Sequence, residues 1–314
     1  MSDSWNGRPL NGCLFEATPS AAPGLSFAAP AGDLPRMVDL RGHCTPVEDQ
    51  GQTNSCVANA IVGALELHQR KAGLPLTDLS RLFLYYNARS LAKNEDQDGG
   101  SFIHHGMAAV LAFGCCEERM WPFEAAMVRE RPTDACFQNA AKYEAVQFAR
   151  TRCGETAMGV LAQGLPIAFG IVLPGECYQV AAQSGIIPDP QTLPAQSAPS
   201  GHAMLIVGYD LAEKLYIVRN SWGPGYGKDG YIHIPFAVME RHAHPDQFWT
   251  IGAIEQSPVL AMFGPSVQET VQRAVQVVQT PDALDNLRGQ LRQDLNSRLD
   301  EARKGFADRL RGKR

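Results

Sequence analysis

The sequence predicts an α+β fold in which a helical half precedes a β half. Two observations carry this. Residues 55–160 hold stretches whose apolar positions fall three and four apart, which is helix spacing. Residues 165–254 hold short apolar runs separated by Gly, Pro and Asp, which is strand patterning. A third observation ties the halves together. One cysteine opens the first helix, and a histidine and an asparagine stand at the ends of strands far downstream.

The chain has 314 residues, 45% hydrophobic and 19% charged, enough for a large core. Its net charge of −5 is mild and gives no reason to expect nucleic acid as a partner. No apolar run reaches the roughly 18 residues of a membrane span. Met1–Arg8 lacks a basic end followed by an apolar stretch, so no signal peptide is expected. The expected location is cytoplasmic, or outside the cell by a route without a classical signal. Cysteines stand at 13, 44, 56, 115, 116, 136, 153 and 177 with no CxxC pair, and free thiols are expected. Residues 17–35 carry Pro19, Pro23, Pro30 and Pro35 among alanines, which reads as an extended arm.

Pro46–Val62 is a polar, glycine-containing loop that runs into an apolar helix. Val57, Ala60, Ile61, Ala64, Leu65 and Leu67 set the spacing, and Gly73 and Pro75 end it. Ser55 is the expected N-cap. That puts the Cys56 sulfur in the first turn, where free N–H groups and the helix dipole favour a thiolate. Gln50, six residues upstream, lies within reach of it. Thr77 or Asp78 is expected to cap a second helix carrying Leu79, Leu82, Phe83 and Tyr86. Lys93–Gly100 reads as a loop and Ile103–Ala112 as a third helix. Its His104 and His105 read as surface or packed residues.

The expected strands are Pro166–Leu173, Ala203–Tyr209, Leu215–Arg219, Gly230–Ile234 and Trp249–Ile254. Gly175–Ser200, with Pro188, Pro190, Pro194 and Pro199, reads as a loop. His242–Asp246 reads as a polar loop rather than a metal site; no metal or cofactor is expected. His202 opens one strand and Asn220 ends the next, 146 and 164 residues after Cys56.

These residues resemble the papain-like cysteine peptidases, nearest their bacterial branch. The resemblance starts at Leu34-Pro35-Arg36-Met37-Val38-Asp39-Leu40-Arg41 and runs through Gln50…Cys56, Arg81–Asn87, Gly99-Gly100 and Trp121-Pro122-Phe123. It continues through Gly201-His202-Ala203 and Asn220-Ser221-Trp222-Gly223 to Asp246–Trp249. It implies two lobes, helical then antiparallel β, with an active-site cleft between them, and a polypeptide substrate. It assigns Cys56 as nucleophile, His202 as base, Asn220 as the group orienting His202, and Gln50 with the Cys56 N–H as oxyanion donors. Gly99, Gly100, Asn54, Ser101, Phe102, Ser200, Ala203 and Trp222 would line the cleft, with Trp222 covering the His–Asn bond. The chain departs from the family in three places. Thr53 and the region of Asp98-Gly99-Gly100 lack the cysteines that the family bridges. Asn54 stands where glycine is usual, and Val57 where an aromatic is usual.

The expected organisation is a leader at 1–35, a peptidase domain at 36–260 and a tail at 261–314. Some 35 residues are too few for the family's helical pro-domain. The leader is therefore either disordered or a short inhibitory arm, with Leu10–Phe15 or Leu25–Phe27 in the groove. In the tail, Leu284, Leu287, Leu291, Leu295, Leu299, Phe306 and Leu310 form an amphipathic pattern. From Asp282 on it holds nine Lys/Arg against six Asp/Glu. Three uses fit it: docking on the body or on a protein partner, binding a membrane surface, or serving as a targeting tag. The expected activity is peptide-bond hydrolysis. The alternatives are a catalytically silent binding protein on the same scaffold, and a thiol isopeptidase or acyltransferase.

Overall fold

The structure is a computed structural model that describes residues 4–5, 7–15, 25–26, 33–140, 143, 145–194 and 196–254. The tail expected at 261–314 lies outside the described residues.

Seven helices are present among the described residues: α1 (Cys56–Lys71), α2 (Arg81–Leu91), α3 (Ile103–Phe113), α4 (Asp134–Ala140), α5 (Glu155–Ala162), α6 (Gly175–Ser184) and α7 (Phe236–His242). The strands are β1 (Ser4–Trp5), β2 (Arg8–Pro9), β3 (Leu25–Ser26), β4 (Met37–Asp39), β5 (Ala145–Arg150), β6 (Ile167–Leu173), β7 (Ser200–Asp210), β8 (Leu215–Arg219), β9 (Tyr231–Pro235) and β10 (Ala243–Ile254). The main sheet runs β3-β5-β10-β6-β7-β8-β9, with β4 paired to β7, and every pairing but β3 with β5 is antiparallel. The fold is α+β, helical lobe first.

α1 is buried all round from Cys56 to Gln69, because β7 covers one side and α2 and α3 the other. A helix in that position must also bury its polar residues with partners. Glu66, 2% exposed, accepts from Thr45 Oγ1 at 2.7 Å and from the Leu79 N–H at 3.1 Å. Burial pushes its carboxyl up from 4.5 to about 7, against the pull of those two donors. A raised folded-state pKa contributes stability that is complete below the unfolded value and lost as pH rises through the folded one. Across pH 4.5 to 7 Glu66 therefore costs the fold up to about 3 kcal/mol. Calorimetry from pH 4.5 to 8 is expected to show a shallower fall in stability for Glu66→Gln than for the parent chain; parallel curves would refute the assignment.

Five local readings are corrected by the structure. β5 lies inside the stretch read as helical, because pairing with β10 decides it. The start of the 175–200 loop is α6; its prolines stand only at 188 and beyond, and Gly185 closes the helix at φ +73°. His242–Asp246 is not a loop: His242 ends α7, and Ala243 begins a strand held against β6 and β5. Ser80, not Thr77 or Asp78, caps α2 by accepting from the Phe83 N–H at 3.1 Å. Ser55 precedes α1 without capping it, for a reason that belongs to the site.

Candidate active site

The loop 50–55 is held by its own polar side chains. Ser55 Oγ is engaged by Thr53 Oγ1 at 2.7 Å and by Asn59 Nδ2 at 3.0 Å, so it is not turned onto the helix N–H groups. The open N–H groups instead serve the sulfur. Backbone N–H groups of Ala203, Val57 and Cys56 favour the Cys56 thiolate, but burial outweighs them and pushes the thiol up to about 12. Cys56 is 0% exposed.

Ala203 follows His202 on β7. His202 is fully buried, and its Nε2 lies 2.8 Å from Asn220 Oδ1. Asn220 Oδ1 also accepts the Ser221 N–H at 2.9 Å, which identifies that atom as the oxygen. His202 therefore presents Nε2–H to Asn220, leaving the lone pair on Nδ1, which has no other hydrogen-bond partner. Burial pulls the imidazole down to about 4, partly offset by the Asn220 bond. Trp222 stacks on the ring at 4.8 Å and 26°, and Tyr178 of α6 meets it edge-on at 5.6 Å. Gln50 is buried; its Oε1 accepts from Ser221 Oγ at 2.5 Å and its Nε2 donates to Thr53 O at 2.8 Å. Cys56, His202, Asn220 and Gln50 are thus joined through Ala203 and Ser221.

The residues expected to line the cleft divide. Gly100, Ser101 and Ala203 face it. Asn54 turns its side chain away, donating from Nδ2 to Asp98 O at 2.7 Å. Gly99 is exposed and near Asn94, and Phe102 packs on His104 and His105. Ser200 pairs with Leu173 in the sheet and is buried.

Residues 7–15 cross this site. The Cys13 N–H donates to Gly201 O at 3.1 Å, the Leu14 N–H to Ser101 O at 3.0 Å, and the Ser101 N–H to Gly12 O at 3.0 Å. Gly12 passes directly over the nucleophile: a Cβ there would stand 2.8 Å from Cys56 Sγ and 2.7 Å from Asn54 O. Gly100, at φ +83°, allows the approach from the other wall, since its Cβ would stand 2.6 Å from Gly12 O. Arg8 pairs with Asp49 at 2.5 Å, Leu10 is buried beside Gly175, and Phe15 stacks on His244 at 5.1 Å. Leu25–Ser26 pairs with β5 instead. Sequence reasoning missed Tyr178, hidden in a stretch read as loop. It also missed Tyr85 and Asp98, whose partners are distant in the chain. All eight cysteines are unbridged.

The family model described as papain family cysteine protease matches residues 34–243. The uncharacterized peptidase C1-like protein L477 of Acanthamoeba polyphaga mimivirus is 30% identical over 249 residues, covering 74% of this chain and 78% of that protein. Human cathepsin L2 is 30% identical over 213 residues, covering 64% of this chain and 61% of the cathepsin, so the chain spans about three fifths of that relative. Among solved structures, xylellain, a cysteine protease from Xylella fastidiosa, superimposes with a TM-score of 0.69 at 29% identity, over 78% of this chain and 97% of that one. Procathepsin B S9 from Trypanosoma congolense, at 16% identity and a TM-score of 0.63, shares the fold.

Proposed function

Because the chain belongs to the papain family of cysteine proteases, we propose that it is a cysteine endopeptidase that cuts polypeptides through Cys56, His202, Asn220 and Gln50, and that residues 7–15 hold it latent. The observation that supports the reading most is the tautomer imposed on His202. With Nε2–H given to Asn220 at 2.8 Å, only Nδ1 can take a proton, and a thiol is the group in need of losing one.

The Cys56 sulfur gives its proton to His202 Nδ1 and attacks the substrate carbonyl carbon. The carbonyl π electrons move to oxygen, where the Cys56 N–H and the second Nε2 hydrogen of Gln50 receive the charge, each contributing about 3 kcal/mol. The C–N bond then breaks as His202 returns the proton to the leaving amine, leaving a thioester. Water, losing a proton to His202, attacks that thioester and releases the acid, and the proton returns to sulfur. Asn220 keeps the ring aligned without adding a charge, and Trp222 covers their bond from water.

Beneath residues 7–15 the pair rests as neutral thiol and neutral imidazole, since burial disfavours both ions. Uncovering the cleft readmits water, relieves that penalty and frees the sulfur for a substrate carbonyl.

Labelling with a peptidyl fluoromethyl ketone tests the reading. The adduct, located by mass spectrometry, is expected on Cys56 alone, to be lost in Cys56→Ala, and to form faster when residues 1–15 are deleted. Absence of a Cys56 adduct from both the intact and the shortened chain would sink the peptidase reading. Equal rates in the two would sink latency alone.

A further inference from the structure

One wall of the cleft is a glycine loop that depends on α2 and on the loop before α1. Ser101 gives an extended segment both its N–H and its C=O, as its pairing with Gly12 and Leu14 demonstrates. Such a loop needs support to hold those groups in place, because glycines restrict the backbone least. The support is a chain of part-buried hydrogen bonds that ends in a buried one at Gly100. Tyr85, 0% exposed on α2, donates its hydroxyl to Asp98 Oδ1 at 2.7 Å and accepts the Gly100 N–H at 2.9 Å. Asp98 Oδ1 also accepts the N–H of Asn54, two residues before the nucleophile, at 3.0 Å. Asp98 O takes the Asn54 amide. One turn along α2, Arg89 lies over the Tyr85 ring at 4.0 Å and donates to Glu95 O at 3.1 Å and to Gln97 O.

We infer that Tyr85 and Asp98 are positioning residues for peptide recognition, tying the Gly100–Ser101 main chain to the Cys56 loop so that an extended peptide is held against the nucleophile. The inference rests on the peptidase reading above. A short hydroxyl bridge suits this role. Tyr85 acts as donor and acceptor at once, so a shift of Asp98 is passed to Gly100, and the Tyr85–Gly100 bond is buried where its loss is not replaced by water. Neither residue touches the reacting atoms.

The test uses the full chain and compares two second-order rates of Cys56 modification: by a peptidyl fluoromethyl ketone, which needs the wall, and by iodoacetamide, which does not. Their ratio cancels changes in how often the cleft is open. In Asp98→Ala and Tyr85→Phe the ratio is expected to fall about tenfold or more, since each breaks the Tyr85–Asp98 bond, Asp98→Ala also frees the Asn54 N–H, and Tyr85→Phe also leaves the buried Gly100 N–H unpaired. Asp98→Asn retains an Oδ1 able to accept both hydrogen bonds, and is expected to stay within about threefold of the parent. Thermal unfolding establishes that each variant is folded; if Asp98→Ala is not, Tyr85→Phe decides. An unchanged ratio in a folded Asp98→Ala or Tyr85→Phe overturns the positioning role and leaves the peptidase reading standing. A parent chain that reacts with iodoacetamide at Cys56 but shows no preference for the peptidyl probe overturns both.

Discussion

A single methyl group, introduced as Gly12→Ala, is expected to switch the enzyme on. The Cβ would lie 2.7 Å from Asn54 O and 2.8 Å from Cys56 Sγ, and the first of these is backbone at the entry to α1. α1 is buried on all sides, so the strain falls on residues 7–15, which are held at the cleft by a few hydrogen bonds, the Arg8–Asp49 pair, the buried Leu10 and the Phe15–His244 stack. Overpacking of this kind costs about 1–3 kcal/mol. If the segment and the open cleft exchange, that shifts the open population by roughly 5- to 150-fold. The measurement is the rate of Cys56 alkylation and of peptide hydrolysis by Gly12→Ala, compared with the parent and with a chain lacking residues 1–15. The shortened chain sets the ceiling. A Gly12→Ala rate equal to the parent's would mean that the segment does not govern access. Arg8→Ala removes an ion pair whose Asp49 partner is 44% exposed at its side chain, and is expected to have a smaller effect in the same direction.

The second large effect is His202→Ala in the chain lacking residues 1–15. Loss of a nucleophile's base typically lowers turnover by about 10³- to 10⁴-fold or more. The pH dependence separates this from mere misfolding. On the proposed mechanism the imidazolium of the uncovered parent stabilises the thiolate, and alkylation by iodoacetamide is expected to remain fast below pH 7. Without His202 the sulfur must ionise alone, and the alkylation curve is expected to move up toward the ordinary thiol value of about 8.5, helped only by the three backbone N–H groups. A curve that does not move would mean that His202 does not take the Cys56 proton. Asn220→Ala keeps the imidazole but frees its ring, so its curve is expected to lie between the two.

Much of this site was legible in the sequence because its signals are local. Cys56 follows a polar loop and precedes helix spacing, and α1 begins there. His202 lies in a run of apolar residues and Asn220 follows one, and β7 and β8 form from those runs. The roles of the residues came from the resemblance, not from spacing. The errors share a cause as well. β5 has six residues among helix-favouring neighbours and becomes a strand by pairing with β10, a partner about a hundred positions away. α6 lost its helical identity to prolines that follow it. Ser55 was a reasonable cap by type, but Thr53 and Asn59 compete for its hydroxyl.

By itself, then, the sequence indicated the candidate reactive residues, a helical half ahead of a β half, and a helix start at Cys56, because each depends on neighbours within a few positions. Only the tertiary structure decided which of two leader segments crosses Cys56, that Gly12 and Gly100 must both lack a side chain there, and that Tyr85 and Asp98 support the facing wall. Those outcomes arise from contacts between residues that lie from 13 positions apart, as in Tyr85–Asp98, to nearly the length of the domain, as in Cys13–Gly201, where shape and hydrogen-bond geometry select the partner and no periodicity records the choice.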